Sequence, residues 1–144
     1  MTGTDESIGF LLGDVMRLMR AEFNRRAEHH GVTLAQAKAL LRLAREPGLR
    51  QVELAGLLEI APMTLVRVLD QLVEAGHVER RPDPADRRAF RLYVTPAARP
   101  ALARIDRAVR EVRDLALGNL SRSDHAALLR ALARIKRNLA GGAP

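Results

Sequence analysis

Apolar side chains recur every three or four residues along most of the chain, which is the spacing of amphipathic helices. The first such stretch predicts a helix over residues 8–29, and Gly31 ends it because glycine tolerates a positive φ. A second helix is predicted over residues 34–45, with Thr33 as its N-cap. The side chains predicted to form its buried face are Ala37, Leu40, Leu41 and Ala44.

Two shorter helices separated by a tight turn come next in the pattern. We predict the first over residues 51–58 and the second over residues 62–75. Pro62 suits the first helical position of the second one, where a missing N–H costs nothing. The inward side chains predicted for the first of these two helices are Val52, Leu54, Ala55 and Leu58.

Beyond the fourth predicted helix the apolar period becomes that of a strand. Alternation at Val78 and again over residues 90–94 predicts two strands, and the segment between them, rich in arginine and proline, suits an exposed hairpin tip. Two more helices follow, and Ser121 or Ser123 caps the second. Their apolar seams are Leu102, Ile105, Val109, Val112 and Ala116 in the first, and Leu128, Leu132, Ile135 and Leu139 in the second.

This order of elements predicts a mainly α fold with a small β-hairpin wing, which is a winged helix-turn-helix. We interpret residues 1–144 as a single domain in which residues 33–95 form the DNA-binding part. The terminal segments 1–32 and 96–144 are interpreted as a helical part that mediates dimerisation, because their apolar seams exceed what one small chain can cover. A two-fold homodimer would place two reading helices about 34 Å apart, in successive major grooves of a pseudo-palindromic double-stranded operator.

The distribution of charge along the chain does not coincide with the predicted DNA-binding part. The formal charge is +7 and nearly all of the basic residues are arginine, although high arginine usage can equally reflect genome composition. Residues 47–95 hold seven basic and seven acidic residues, whereas residues 96–144 hold ten basic and four acidic ones. Net charge therefore does not locate the reading surface, and the placement of individual arginines has to do so.

Composition and motifs exclude several classes of site. Cysteine is absent, which rules out disulfides and thiolate metal sites, and no apolar run reaches the roughly 18 residues that span a bilayer. No phosphate loop, nucleophile elbow or His-Glu metal motif occurs, so we expect no enzyme, no cofactor and no metal site. His29 and His30 would point about 100° apart on a helix and cannot easily share an ion. We expect a cytoplasmic protein with no membrane partner.

Several stretches of the sequence resemble the MarR family of transcriptional regulators. The sequence LVRVLDQL at 65–72 resembles the family's recognition helix and looks closest to the SlyA branch. The sequence EAGHVERR at 74–81 resembles the end of that helix and the first wing strand. The sequences DPADRRA at 83–89 and LYVT at 92–95 together resemble the family's wing signature. The order of helices outside this region also fits, so the resemblance covers nearly the whole chain.

The resemblance implies DNA-contacting roles on the recognition helix. Arg67 matches the helix arginine expected to contact bases or phosphate, and Thr64 matches a residue that usually touches phosphate. Leu65 and Val66 cannot both be buried on one face, so we expect one to meet a thymine methyl group or a sugar edge. We assign that contact to Leu65. Met63 departs from the small polar or proline residue that the family often has there, which leaves the operator preference open.

The resemblance also implies roles on the wing. Arg88 matches the arginine that enters the minor groove, and Asp86 matches the acid that orients it. Asp86 can instead cap the turn, and the two roles can coexist. Arg87 is expected to meet backbone phosphate.

Family resemblance further implies a repressor that a small anion releases, often a phenolic or other aromatic compound bound between the dimer helices and the reading heads. Arg17 is the candidate to pair with such an effector, and a solvent-facing arginine is the alternative. Two other functions stay open. One is a non-specific nucleic-acid packaging protein that uses the basic C-terminal third, and the other is an interaction module whose wing no longer reads DNA.

Overall fold

The computed structural model of the chain describes residues 7–141. Six helices, three strands and one 3₁₀ turn follow one another in this part of the chain. In order they are α1 (Ile8–His29), α2 (Leu34–Arg45), β1 (Leu49–Arg50), α3 (Gln51–Leu58), α4 (Pro62–Glu74), β2 (Val78–Asp83), β3 (Asp86–Val94), the 3₁₀ turn (Pro96–Ala98), α5 (Arg99–Leu117) and α6 (Arg122–Leu139). The predicted mainly α fold with a small wing is confirmed.

The helix ends follow from local chemistry. Gly31 closes α1 with a φ of 68°, and the hydroxyl of Thr33 accepts a hydrogen bond from the Gln36 backbone N–H at the start of α2. The Gln36 side chain accepts the Thr33 backbone N–H in return, which completes a capping box. Of the two candidate caps for α6, Ser121 is the one that accepts the backbone N–H of Asp124.

The wing is larger than the predicted hairpin, because a third strand joins it. The sheet has the order β1-β3-β2 and is antiparallel, with Leu49 opposite Leu92 and Arg50 opposite Arg91. The two-residue β1 was not predicted, since so short a strand shows no alternating pattern. Because β1 pairs with β3 and α3 begins at the next residue, this pairing holds the start of α3 beside β3.

Contacts divide the described chain into two compact units, with the boundary between Val109 and Arg110 inside α5. The first unit contains α1 to α4, the sheet and the beginning of α5, and most of the core lies there. The largest fully buried side chains are Leu40, Leu43, Leu54, Leu65, Leu69, Leu92 and Ile105. These residues come from α2, α3, α4, β3 and α5.

Some burial predictions are wrong. Val52 was expected to face inward, but it is 74% exposed at the start of α3. Ala44 is exposed, and Leu43 is buried instead, because Ala39, Leu40 and Leu43 form the buried stripe of α2.

The apolar seams of the terminal helices stay largely uncovered in the single chain. In α5, Ile105 and Val112 are buried as predicted, whereas Val109 and Ala116 are exposed. Helix α6 has no buried side chain. The exposed large apolar residues of α1 are Ile8, Phe10, Leu11, Val15, Met16 and Leu18, and those of α6 are Leu128, Leu129 and Leu139. Within residues 7–141, no helix is long and apolar enough to cross a membrane.

Candidate nucleic-acid interface

Helix α4 presents one buried side and one outward side. Pro62 occupies its first turn, and Ala61 precedes it without a side-chain cap. Its buried side chains are Leu65, Val68, Leu69 and Leu72, which share one face by their spacing of three and four. The 3.6-residue period therefore turns Met63, Thr64 and Arg67 outward, and all three are exposed.

The expected DNA contact by Leu65 is wrong. Leu65 is fully buried, because it lies on the same face as Leu69 and Leu72 and packs into the core. Its neighbour Val66 is 38% exposed, so Val66 is the one of the two that reaches the surface. Thr64 and Arg67 do lie on the accessible side, as a DNA contact requires.

Two aspartates shape the tip of the wing. One carboxylate oxygen of Asp83 accepts the backbone N–H of Ala85 at 2.9 Å, and one of Asp86 accepts the backbone N–H of Arg88 at 3.0 Å. Both contacts have the spacing of an Asx turn. The one at Asp83 lies at the chain reversal between β2 and β3, and the one at Asp86 lies at the start of β3. Asp86 thus acts on the backbone of Arg88, in line with the turn-capping alternative. Arg88 and its neighbour Arg87 are exposed at this tip.

A buried carboxylate holds the wing to the rest of the sheet. The Asp83 side chain is 1% exposed, and its Oδ2 accepts from Arg50 Nε at 2.9 Å and lies 2.7 Å from Arg50 Nη2. Arg91 Nε lies 3.2 Å from the same oxygen, and Arg91 Nη1 donates to the Gly48 carbonyl at 3.1 Å. We call Asp83, Arg50 and Arg91 the Asp83 clamp. It joins the hairpin tip to β1, directly before α3.

The clamp favours the charged forms of its members. The backbone N–H of Ala85 and the Arg50 guanidinium hold the pKa of Asp83 below its ordinary value, against the effect of burial. The hydrogen bond and the charge of Asp83 raise the pKa of Arg50. The clamp is therefore a charged network at neutral pH, and its donors satisfy the buried carboxylate.

Two more polar contacts hold α4 in place. Arg80 on β2 forms an ion pair with Asp70 of α4, with 2.6 Å between Arg80 Nη2 and Asp70 Oδ1. The Gln36 side chain of α2 donates to the Gln71 side chain of α4 at 3.2 Å. The sequence pattern did not single out these residues or Arg50, because their partners are distant in sequence. The segment rich in arginine and proline indicated the hairpin tip, but not these contacts.

An open cleft of about 310 Å³ lies between the start of α3 and β3. Arg50 and Arg88 line it together with Val52 and Phe90. Arg88 therefore lines the same cleft as Arg50, which belongs to the Asp83 clamp.

The candidate effector residue Arg17 lies on α1, where its exposed side chain is 3.3 Å from Asp14.

The amino-acid sequence is similar to those of known transcriptional regulators. A family model described as the MarR family matches residues 32–90. A Thauera aromatica protein with the description "Putative transcriptional regulatory protein for hcr operon" is 37% identical over 108 residues, which are 74% of this chain and 64% of that protein. The match therefore spans slightly less than two thirds of that relative.

Solved structures are similar over almost the full length. A crystal structure of MarR superposes with a TM-score of 0.84 at 28% identity, covering 97% of this chain and 95% of the other. A MarR family protein of Mycobacterium tuberculosis, in complex with salicylic acid, superposes with a TM-score of 0.77 at 27% identity, covering 92% and 98%.

Replacing Asp83 by asparagine tests the clamp. We expect Asp83→Asn to lower the melting temperature at pH 7, because the amide leaves two arginines without their shared charge. Folding lowers the pKa of Asp83. The clamp's contribution to the free energy of unfolding is therefore fully present above the pKa of an unfolded aspartate, about 3.9. This contribution is lost as the pH falls through the lower pKa of the folded state. The difference in melting temperature between wild type and Asp83→Asn should therefore be constant above about pH 5 and should become smaller in acid.

The control for this measurement is Asp114→Asn, which removes an exposed pair with Arg113 and should leave the melting temperature nearly unchanged. Thermal melts from pH 2.5 to pH 8 supply the comparison. A gap for Asp83→Asn that does not narrow in acid would show that the lost stability has another origin.

Proposed function

We propose that the chain is a member of the MarR family of transcriptional regulators, that it binds specific sites on double-stranded DNA as a homodimer, and that it represses transcription. Contact with chromosomal DNA implies a cytoplasmic location. The finer likeness of residues 65–72 to the SlyA branch remains a prediction.

One observation supports the proposal above the others. Residues 47–95 are formally neutral, yet their arginines fall into two groups. Four are ion-paired within the protein, namely Arg50 and Arg91 with Asp83, Arg80 with Asp70, and Arg81 with Glu79. Among residues 7–141, no carboxylate is paired with the other three, which are Arg67, Arg87 and Arg88.

These three arginines are the ones expected at DNA. Arg67 would reach base edges or phosphate from α4 in the major groove, and Arg88 would enter the minor groove from the wing tip. Arg87 and Thr64 would contact backbone phosphates. The other four arginines each have a carboxylate partner in the same segment. The proposed reading surface therefore depends on where Arg67, Arg87 and Arg88 lie and not on the net charge of the segment.

Substitution of Arg88 tests the wing contact. We expect Arg88→Ala to weaken binding to a selected operator by about 5-fold to 150-fold, because a well-placed arginine contact contributes roughly 1–3 kcal/mol. The melting curve and the dimer should not change, since Arg88 is exposed. Fluorescence anisotropy at fixed salt measures the affinity. Arg113→Ala, which removes an exposed arginine of α5, is the matched control. Equal operator affinity for wild type and Arg88→Ala would refute the wing assignment.

Dimerisation is proposed on the apolar residues that α1 and α6 leave exposed. In the single chain α6 has no buried side chain, and the seam of α1 is exposed from Ile8 to Leu18. Exposed apolar surface of this extent marks an interface with another protein. A second copy of the chain is the partner that the homodimer requires.

A charge placed on the α1 seam tests this interface. We expect Leu18→Glu to shift the protein from dimer to monomer in sedimentation velocity and to weaken operator binding, because an unpaired carboxylate would be buried in the interface. Asn24→Glu adds the same charge at another exposed position of α1 and should leave the dimer intact. An unchanged dimer for Leu18→Glu would remove α1 from the interface.

A small anionic aromatic effector is the proposed signal. A cavity of about 130 Å³ is lined by residues of α2, α4 and α5, among them Gln36, Gln71 and Arg104. It lies beside the Gln36–Gln71 hydrogen bond that joins α2 to α4. A ligand there would act only if it prefers one placement of α4 over another. The MarR family protein of Mycobacterium tuberculosis, solved with salicylic acid, supports this class of ligand.

Salicylate titration tests the effector. We expect millimolar salicylate to weaken operator binding several-fold, as a coupling of about 1–3 kcal/mol would do. The effect should be lost in Arg104→Gln, which removes the cation from the cavity lining, and kept in Arg17→Gln if Arg17 is only a solvent-facing residue. If Arg17→Gln alone abolishes the effect, the earlier assignment of Arg17 is correct and the cavity is not the site.

A further inference from the structure

Met63 is a large apolar side chain in an unusual place. It is 77% exposed in the first turn of α4, on the side opposite the buried leucines. Residues four and seven apart share a helix face, so Met63 is aligned with Arg67, Asp70 and Glu74. We call these four residues the outward stripe of α4. Met63 is its only apolar member, at its N-terminal end.

The charges along the outward stripe decide which end of α4 can approach DNA. Arg67 lies in the N-terminal half, whereas Asp70 and Glu74 lie in the C-terminal half. Phosphates would repel the C-terminal half, and Asp70 is already paired with Arg80 of the wing. The N-terminus of a helix also carries a partial positive charge. The helix must therefore enter a groove with its N-terminal end, which carries Met63 deepest.

The chemistry of Met63 restricts what it can recognise there. A thioether has no hydrogen-bond donor and is a weak acceptor, so it cannot read the polar edges of guanine, adenine or cytosine or hold a phosphate. The apolar feature of the major groove is the C5-methyl group of thymine. A flexible, polarisable methionine side chain can pack against such a group without a fixed geometry.

We propose that Met63 is a specificity-determining residue that selects thymine in each operator half-site through contact with its C5-methyl group. Met63 and Arg67 are four residues apart, which is about 6 Å along the helix, and projected on the DNA axis this separation is at most about two base-pair steps. The selected thymine thus lies within about two base pairs of the guanine or phosphate that Arg67 contacts. This inference rests on the proposed function, because it requires α4 to enter the major groove.

Uracil substitution in the operator tests the contact, because it removes the methyl group alone. The probe is the duplex that the full-length protein enriches from random DNA, with each thymine replaced singly by deoxyuridine. We expect one thymine in each half-site at which uracil weakens wild-type binding about fourfold, the effect of exposing one methyl group to water. Uracil at thymines outside the half-sites should have no effect.

Protein variants assign the effect to Met63. Met63→Gln keeps the length of the side chain but makes it polar, so it should bind the thymine and uracil duplexes equally. Met63→Leu stays apolar and should retain the preference for thymine. Neither change touches the core, because Met63 is exposed, and both variants should melt like wild type. With 7-deazaguanine in the probe, the affected guanine should lie within about two base pairs of that thymine if Arg67 reads a base.

The outcomes separate this inference from the proposed function. If the protein enriches a sequence but uracil has no effect at any thymine, or if the effect persists in Met63→Gln, Met63 does not select thymine and the DNA-binding proposal stands. If no sequence is enriched, the proposed function fails and the inference fails with it. A fourfold uracil effect that disappears in Met63→Gln and persists in Met63→Leu supports the inference.

Discussion

The burial of one side of α4 is the constraint on which the reading surface depends. Leu65, Leu69 and Leu72 are anchored in the core, and the period of the helix then determines every outward position. No side chain of α4 can be reassigned to DNA without turning the whole helix and exposing these leucines. The positions of Thr64, Arg67 and Met63 on the surface are therefore a consequence of core packing.

The wing depends on a second, electrostatic constraint. Asp83 is buried and must keep its arginine partners, and those partners come from β1 and β3. The clamp thus fixes the hairpin tip relative to the start of α3, and the Asx turns at Asp83 and Asp86 then project Arg87 and Arg88 into solvent. The same ion pairs separate the arginines of residues 47–95 into four that have a carboxylate partner and three that have none within residues 7–141. These three lie on α4 and at the wing tip, where contact with DNA is proposed.

Local signals in the sequence predicted much of the fold. Gly31, Thr33 and Pro62 act at helix ends through backbone conformation and capping, so their effects depend on near neighbours. Strand β1 was missed because its two residues are defined by pairing with β3. Leu65 and Val66 could not be distinguished because both positions are apolar and only the packing of the whole helix decides between them. The Asp83 clamp joins residues up to 33 positions apart, which no local pattern reveals.

The distinction between a sequence-specific regulator and a packaging protein follows from how charge is used. A packaging protein would rely on the basic residues 96–144, whereas a specific reader would rely on a few exposed groups of residues 47–95.

The most direct measurement is the ratio of affinities for the selected operator and for a scrambled duplex of equal length at about 0.15 M salt. A sequence-specific regulator should prefer the operator by at least roughly a thousandfold. Equal affinity for the two duplexes, falling steeply and in parallel as salt is raised, would contradict sequence-specific binding.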